Sequence, residues 1–253
     1  MGALCFLLLA AGLATGQQAP PQLSFAVLAD VQYGDQPTAG KREYRKSLPK
    51  LREAVEVLNT RKDLAFAIHL GDLIDFRAAA GWRFVVLDGM DLSVATGSRP
   101  QGSPEHTRGR EMLDALVAQK TANAVNWNGG MGERQLDWLR DVLKRASSSG
   151  ERVIAFCHFP VLRESSTPAH LLWNHDALRQ ILESHPAVAG WFNGHDHNGG
   201  YAERNGIHYV TFPGLVESGE QTSHTLVRVY PDRLELEGAG TAPTRTLRII
   251  ERR

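Results

Sequence analysis

Short apolar runs alternate with helical periodicity along most of this chain. Ser24 to Ala29 (Ser-Phe-Ala-Val-Leu-Ala), Leu64 to Leu70, Trp82 to Leu87, Val153 to Cys157 and Val188 to Phe192 read as buried strands. Between them, Lys41 to Asn59 carries Leu48, Leu51, Ala54, Val55 and Leu58 at helical spacing, and Glu133 to Ala146 puts Leu136, Leu139, Val142 and Leu143 on one face. Asn174 to Ser184 is a further helix, and Ala95 to His106 is polar, contains Gly and Pro, and reads as a surface loop. Short strands then follow around His208–Phe212, Thr225–Tyr230, Arg233–Glu237 and Leu247–Ile250, with Pro231-Asp232 as a turn. Strands alternating with helices, then a run of strands, predict an α/β sandwich occupying residues 24–253 as one domain.

One connection does not fit this pattern. Asp75 is followed by Phe-Arg-Ala-Ala-Ala-Gly and at once by the Trp82 run. A parallel return to the same sheet needs a crossover of roughly a dozen residues or more. Either the Trp82 strand runs antiparallel to its predecessor, or a helix–strand unit is missing between Asp75 and Gly81.

The N-terminus and the charge balance narrow the class. Residues 3–14 are apolar but short for a bilayer span, and Ala14-Thr15-Gly16 offers a small-x-small cleavage site. Residues 1–16 are therefore expected to be a signal peptide without a basic leading region, residues 17–23 a polar lead-in, and the protein secreted or periplasmic with no stable membrane insertion. Cleavage would remove Cys5 and leave Cys157 alone, so no internal disulfide is expected. Acidic and basic residues balance at 28 each among 253 residues, which argues against a general nucleic-acid binder.

Candidate chemistry gathers where strands end. Asp30-Val-Gln32, Gly71-Asp72-Leu-Ile-Asp75, His158 and Gly194-His195-Asp-His197 each follow an apolar run. Strand ends are rigid and their loops converge, which suits a site that must hold carboxylates and imidazoles around two cations. Such a centre polarises a phosphoester and activates a water for attack on phosphorus. His195 and His197 are two apart, so one tight turn can aim both rings into one site.

These motifs resemble the calcineurin-like metallophosphoesterases. The flanking segments sharpen the likeness: Ala29-Asp30-Val-Gln32-Tyr33, Tyr44-Arg45-x-Ser47-Leu48, Gly81-Trp82-Arg83-Phe84-Val-Val-Leu-Asp88-Gly89, Asn126-Trp-Asn128-Gly129-Gly130, Leu172-Trp173-Asn174 and Gly194-His195-Asp196-His197-x-Gly199-Gly200-Tyr201. Together they are similar to the manganese-dependent ADP-ribose/CDP-alcohol diphosphatase family, from Ser24 to the C-terminal strands. The resemblance implies a β-sandwich flanked by helices and two divalent metals. It places Asp30, Gln32, Asp72 and His197 on the first metal and Asp72, His158 and His195 on the second, with Asp72 bridging. Asp72, His158 and His195 are the implied catalytic set. Amide and carboxylate oxygens favour Mn²⁺, with iron or zinc as alternatives. The implied substrate is a small nucleoside diphosphate derivative, with Arg45, Asn126, Asn128 and Gly129 as candidate contacts.

The chain departs from that family at the misfit connection. The Gly-Asn-His-Asp segment expected between Asp75 and Trp82 is absent. The resemblance gives its asparagine to the second metal and its histidine to the phosphoryl or leaving group, and losing such a group costs on the order of 10²–10⁴ in rate. Leu172-Trp173-Asn174-His175-Asp176 repeats the letters, but Asn174 reads as a helix N-cap with no strand before it. The alternative to an impaired enzyme is a non-catalytic metal- or ligand-binding remnant of the fold.

Other residues have plainer expectations. Asp75 is taken to fix the turn beside Asp72, and Cys157 to be core, facing away from the metals because it neighbours His158 on a strand. His69 is structural, and His208 either lines the site or is a satisfied sheet histidine. Trp127, Trp138 and Trp191 read as core.

Overall fold

The computed structural model describes residues 24–28, 37–38, 43–62, 64–69, 81–214, 216, 218 and 223–251. The expected signal peptide and lead-in, Asp30, Gln32, Asp72 and Asp75 lie outside this set. The chain divides into two compact units, Met1–Asp75 and Phe76–Arg253.

In the first unit, β1 (Ser24–Leu28) and β2 (Leu64–His69) pair in parallel, Phe25 opposite Phe66 and Leu28 opposite His69. The connection between them is long enough for a parallel crossover and contains α1 (Ser47–Asn59). The periodic pattern predicts this helix from Lys41, but α1 begins at Ser47, after a 3₁₀ turn at Tyr44–Lys46. Pro49 explains the later start: it has no N–H to give the residue 45 carbonyl, so it must stand in the first turn. Arg45 is exposed on the 3₁₀ turn.

In the second unit, five strands lie in the order β3 (Trp82–Val86), β4 (Arg152–Phe156), β5 (Val188–Asn193), β7 (Ile207–Thr211), β6 (Gly200–Arg204). All pairs are parallel except β6–β7. The Trp82 strand therefore runs parallel to β4. The helices α2 (Pro104–Ala118) and α3 (Glu133–Ser148) lie between β3 and β4 in sequence, and α4 (His175–Glu183) between β4 and β5. A second sheet, β8 (Ser223–Val229), β9 (Arg233–Gly240) and β10 (Arg245–Arg248), is antiparallel with β9 central. A mixed α/β sandwich is thus the architecture of this unit, as the alternation predicts.

Two apolar clusters hold the layers together. Leu136, Leu139, Val142 and Leu143 of α3 and Leu178, Ile181 and Leu182 of α4 pack with Val153 and Ala155 of β4 and Trp191 of β5. On the other side, Ile154, Ala189 and Phe192 meet Leu234, Leu236 and Leu247 of the small sheet. Alternate residues of β4 thus face opposite layers, the period-two rule for a strand buried on both faces. The β4–β5 register slips between Val153 and Ile154, which returns Trp191 to the helix side with Val188.

Several expectations need correction. The polar stretch ending at His106 runs into α2, whose cap is Ser103 with Pro104 behind it; Ser103 Oγ accepts from His106 N at 3.2 Å. Gly200-Tyr201, which the pattern leaves unassigned, begins the strand β6. Trp191 is core, but Trp127 and Trp138 are 42% and 46% exposed. Trp138 sits off the face of α3 that buries Leu136 and Leu139. Among the described residues, no helix is long and apolar enough to cross a membrane.

Candidate active site

Parallel neighbours end at the same edge of a sheet, so the residues just beyond β4 and β5 meet. His158 follows β4 by two positions and His195 follows β5 by two. Gly194 N donates to His158 O at 3.1 Å, tying the two strand exits together. Above that tie His158 Nε2 and His195 Nδ1 stand 3.0 Å apart.

Both rings are neutral at ordinary pH. Burial pushes the His195 imidazole down to about 3, and the nearby His158, His170 and His197 rings add to the shift. Burial also lowers His158, followed by His197. A neutral imidazole keeps a lone pair, the form that binds a metal. Two donor nitrogens about 3 Å apart also suit adjacent positions on one cation with bonds of about 2.1 Å. The pair therefore fits half of a metal site. Among the described residues, no group of three His, Cys, Asp or Glu side chains could hold a metal ion. The expected carboxylate ligands, Asp30 and Asp72, lie outside the described residues, as does Gln32.

The turn between the histidines is anchored by its middle residue. His195 has φ +69°, a left-handed conformation that is uncommon for a side-chain-bearing residue. Asp196 is 2% exposed, and its carboxylate accepts from Thr167 N at 2.7 Å, Ser166 Oγ at 3.1 Å, Asn198 N at 3.2 Å, and Thr167 Oγ1. Burial alone would raise its pKa, but these donors, led by Thr167, hold it well below the usual carboxylate range. His197, at the far end of the turn, is exposed, and Gly214 N donates to its carbonyl at 3.0 Å.

Of the candidate substrate contacts, Asn128 and Gly129 are buried and committed to the protein, so neither offers a free face to a ligand. Asn128 is fully buried, and its Oδ1 stands 2.8 Å from His195 Nε2. Gly129 is buried beneath it: a Cβ there would approach the Gly89 carbonyl oxygen to 2.2 Å, so only glycine fits. Asn126 is exposed beside Trp127, whose ring lies 5.1 Å from that of His195. Cys157 is buried and faces Gly89; burial pushes its thiol up to about 12, so it is an inert core residue. His208 is the satisfied sheet histidine, bonded to Tyr201 Oη at 3.1 Å and Arg248 O at 2.8 Å.

Asn174 stands at the N-cap of α4 as expected, but without a side-chain capping bond. Its amide grips Met131 instead, accepting from N at 3.1 Å and donating to O at 2.8 Å. That engagement leaves Asn174 unsuited to replace the missing asparagine. One neighbour has no signal in the sequence motifs: His170, on the 3₁₀ turn Pro168–His170, has its ring 5.3 Å from His195 and 5.1 Å from Trp127. Its sequence neighbours carry no ligand spacing, and only the folded loop brings it to the site.

No protein-family model matches the chain. It is 28% identical to a manganese-dependent ADP-ribose/CDP-alcohol diphosphatase from Oryza sativa, over 87% of this chain and 92% of that protein. That match runs over 296 positions, more than this chain contains, so the rice protein carries residues within the match that this chain lacks. A diphosphatase of the same name from Xenopus tropicalis is 33% identical over 68% of this chain, which spans only 53% of that relative. Among solved structures, a dimetal phosphatase from Danio rerio aligns with a TM-score of 0.64 and 26% identity, covering 91% of this chain and all of that one.

Proposed function

We propose that the chain is a calcineurin-like metallophosphoesterase akin to the manganese-dependent ADP-ribose/CDP-alcohol diphosphatases, and that it hydrolyses the diphosphate bond of small nucleoside diphosphate derivatives. The observation that carries this reading is the His158–His195 pair, two neutral imidazoles 3.0 Å apart at adjacent strand ends. In this reading His158 and His195 hold one of two divalent metals, manganese in preference to iron or zinc. Asp72, Asp30, Gln32 and His197 would hold the other. The metals supply Lewis-acid polarisation of the phosphate and activation of water.

The chain's own residues supply rigidity and shape. The His195–His197 turn is pinned through Asp196, so both rings are held before a substrate arrives, and preorganised groups need no rearrangement during reaction. Asn126, and Arg45 at the head of α1, are the proposed polar contacts to the nucleotide. Gly129 contributes by packing, and kinship with named diphosphatases favours catalysis over a non-catalytic remnant.

The purified chain, stripped of metal and then given Mn²⁺, is expected to release AMP from ADP-ribose and CMP from CDP-choline. His195→Ala should lower the rate at least ~100-fold by weakening metal binding. Hydrolysis that ignores both chelation and His195→Ala would sink the proposal.

A further inference from the structure

We propose that Asn128 is a positioning residue that fixes His195 as its Nε2–H tautomer and so turns the Nδ1 lone pair toward His158. The consequence for metal binding rests on the two-metal reading above; the tautomer assignment stands on geometry alone.

An asparagine side chain can be turned end for end, and only its partners decide which end is oxygen. Asn128 Nδ2 lies 3.1 Å from Asn123 O and 2.8 Å from Ala169 O, both of which are carbonyl acceptors. Reversing the amide would put its oxygen against two other oxygens, with no donor between them. Asn128 is fully buried, so water does not relieve that clash. The NH₂ must face the two carbonyls, and Oδ1 must face His195 Nε2 at 2.8 Å.

An amide oxygen only accepts. His195 Nε2 therefore carries the hydrogen and donates it to Asn128, and a neutral imidazole has one such hydrogen. Nδ1 is then the bare nitrogen, and it is Nδ1 that stands 3.0 Å from His158 Nε2. Before metal binds, His158 donates across that gap. Once His158 moves its hydrogen to its other nitrogen, the two lone pairs can converge on one cation.

The support for Asn128 is rigid on both sides. Asn123 Nδ2 donates to Leu172 O at 3.0 Å and to Trp173 O at 3.2 Å. Trp173 Nε1 donates to Val125 O at 3.1 Å, and Trp173 N to Gly129 O at 2.8 Å. The segment 123–129 is thus stitched to 169–173, and Asn128 is delivered from that seam to His195. The left-handed backbone at His195 is a strained choice that sets where its ring sits, and the Asn128 contact holds the ring there.

The first measurement needs no variant. Long-range ¹H–¹⁵N spectra of the ring-labelled, metal-free chain, assigned with His195→Ala, should show His195 Nε2 protonated and Nδ1 bare. The reverse assignment overturns the proposal. In Asn128→Ala the His195 signals should move toward a tautomer mixture, and Mn²⁺ affinity by calorimetry should fall ~10–100-fold. The metal-free melting curve tells whether that variant is folded. A folded Asn128→Ala with the parent tautomer and the parent Mn²⁺ affinity overturns the proposal. A parent chain that shows the Nε2–H tautomer yet takes up no Mn²⁺ retires the two-metal reading and supports the role of Asn128 toward His195.

Discussion

Burying a titratable side chain ties the fold to pH. His175, at the first position of α4, is 6% exposed. Burial lowers its pKa, opposed by Asp176 and assisted by Arg163 and Arg179. Its folded pKa lies below the unfolded value of about 6.5, so between the two the unfolded chain binds more protons. Its contribution to stability is complete above the unfolded value and is lost as pH falls below it. The urea midpoint is expected to drop between about pH 8 and about pH 5.5, and to drop less in His175→Gln. His158 and His195 shift in the same direction, so the variant keeps part of the dependence. Equal drops in the two proteins would remove His175 from the explanation. At this scale the sequence shows His158 and His195 plainly, because each stands just past an apolar run. It does not show His170 or the part played by Asn128, since those depend on a seam between segments about forty residues apart.

Among the elements, strands buried on both faces and helices with one apolar stripe are legible, and elements governed by a local turn or cap are less so. The β6–β7 hairpin illustrates the difference. Gly200-Tyr201-Ala-Glu-Arg204 has little apolar content, and β6 is half-buried to exposed, so periodicity does not reveal it. The signal lies between the strands, in Asn205-Gly206, whose residues both adopt positive φ, +52° and +69°. That dipeptide suits the tight turn whose twist matches a hairpin. Helix α2 is likewise marked by Ser103-Pro104 more than by its stripe, since it buries only Gly109 and Leu113. Gly206→Ala should place a Cβ in the left-handed region and cost about 1 kcal/mol. In denaturant unfolding the midpoint should fall with an unchanged slope; no fall would mean that the hairpin does not depend on this turn.

Across the whole chain, the boundary between the two compact units falls after Asp75, within the connection that the sequence pattern makes short for a parallel crossover. The rice diphosphatase also carries residues inside the match that this chain lacks. We place that loss between Asp75 and Gly81, at the Gly-Asn-His segment expected from the family. Asn174 does not make good the loss, because its amide is committed to Met131. In the two-metal reading, that loss would leave a Lewis-acid site without the imidazole that would steady the phosphoryl group or protonate the leaving group. Turnover of ADP-ribose should therefore be slow, by on the order of 10²–10⁴ relative to a chain with that group. An activated aryl phosphodiester, whose leaving group needs little protonation, should be the better substrate. Asp72→Asn should abolish both activities, since in the two-metal reading Asp72 would be a ligand to both metals. Inserting a strand–helix segment bearing Gly-Asn-His between Asp75 and Gly81 should raise ADP-ribose turnover far more than aryl ester turnover. Parallel initial-rate assays on the two substrates would test this. Fast ADP-ribose hydrolysis by the unaltered chain, or an insertion that raises both substrates equally, would show that the acid and phosphoryl contacts come from elsewhere in the molecule.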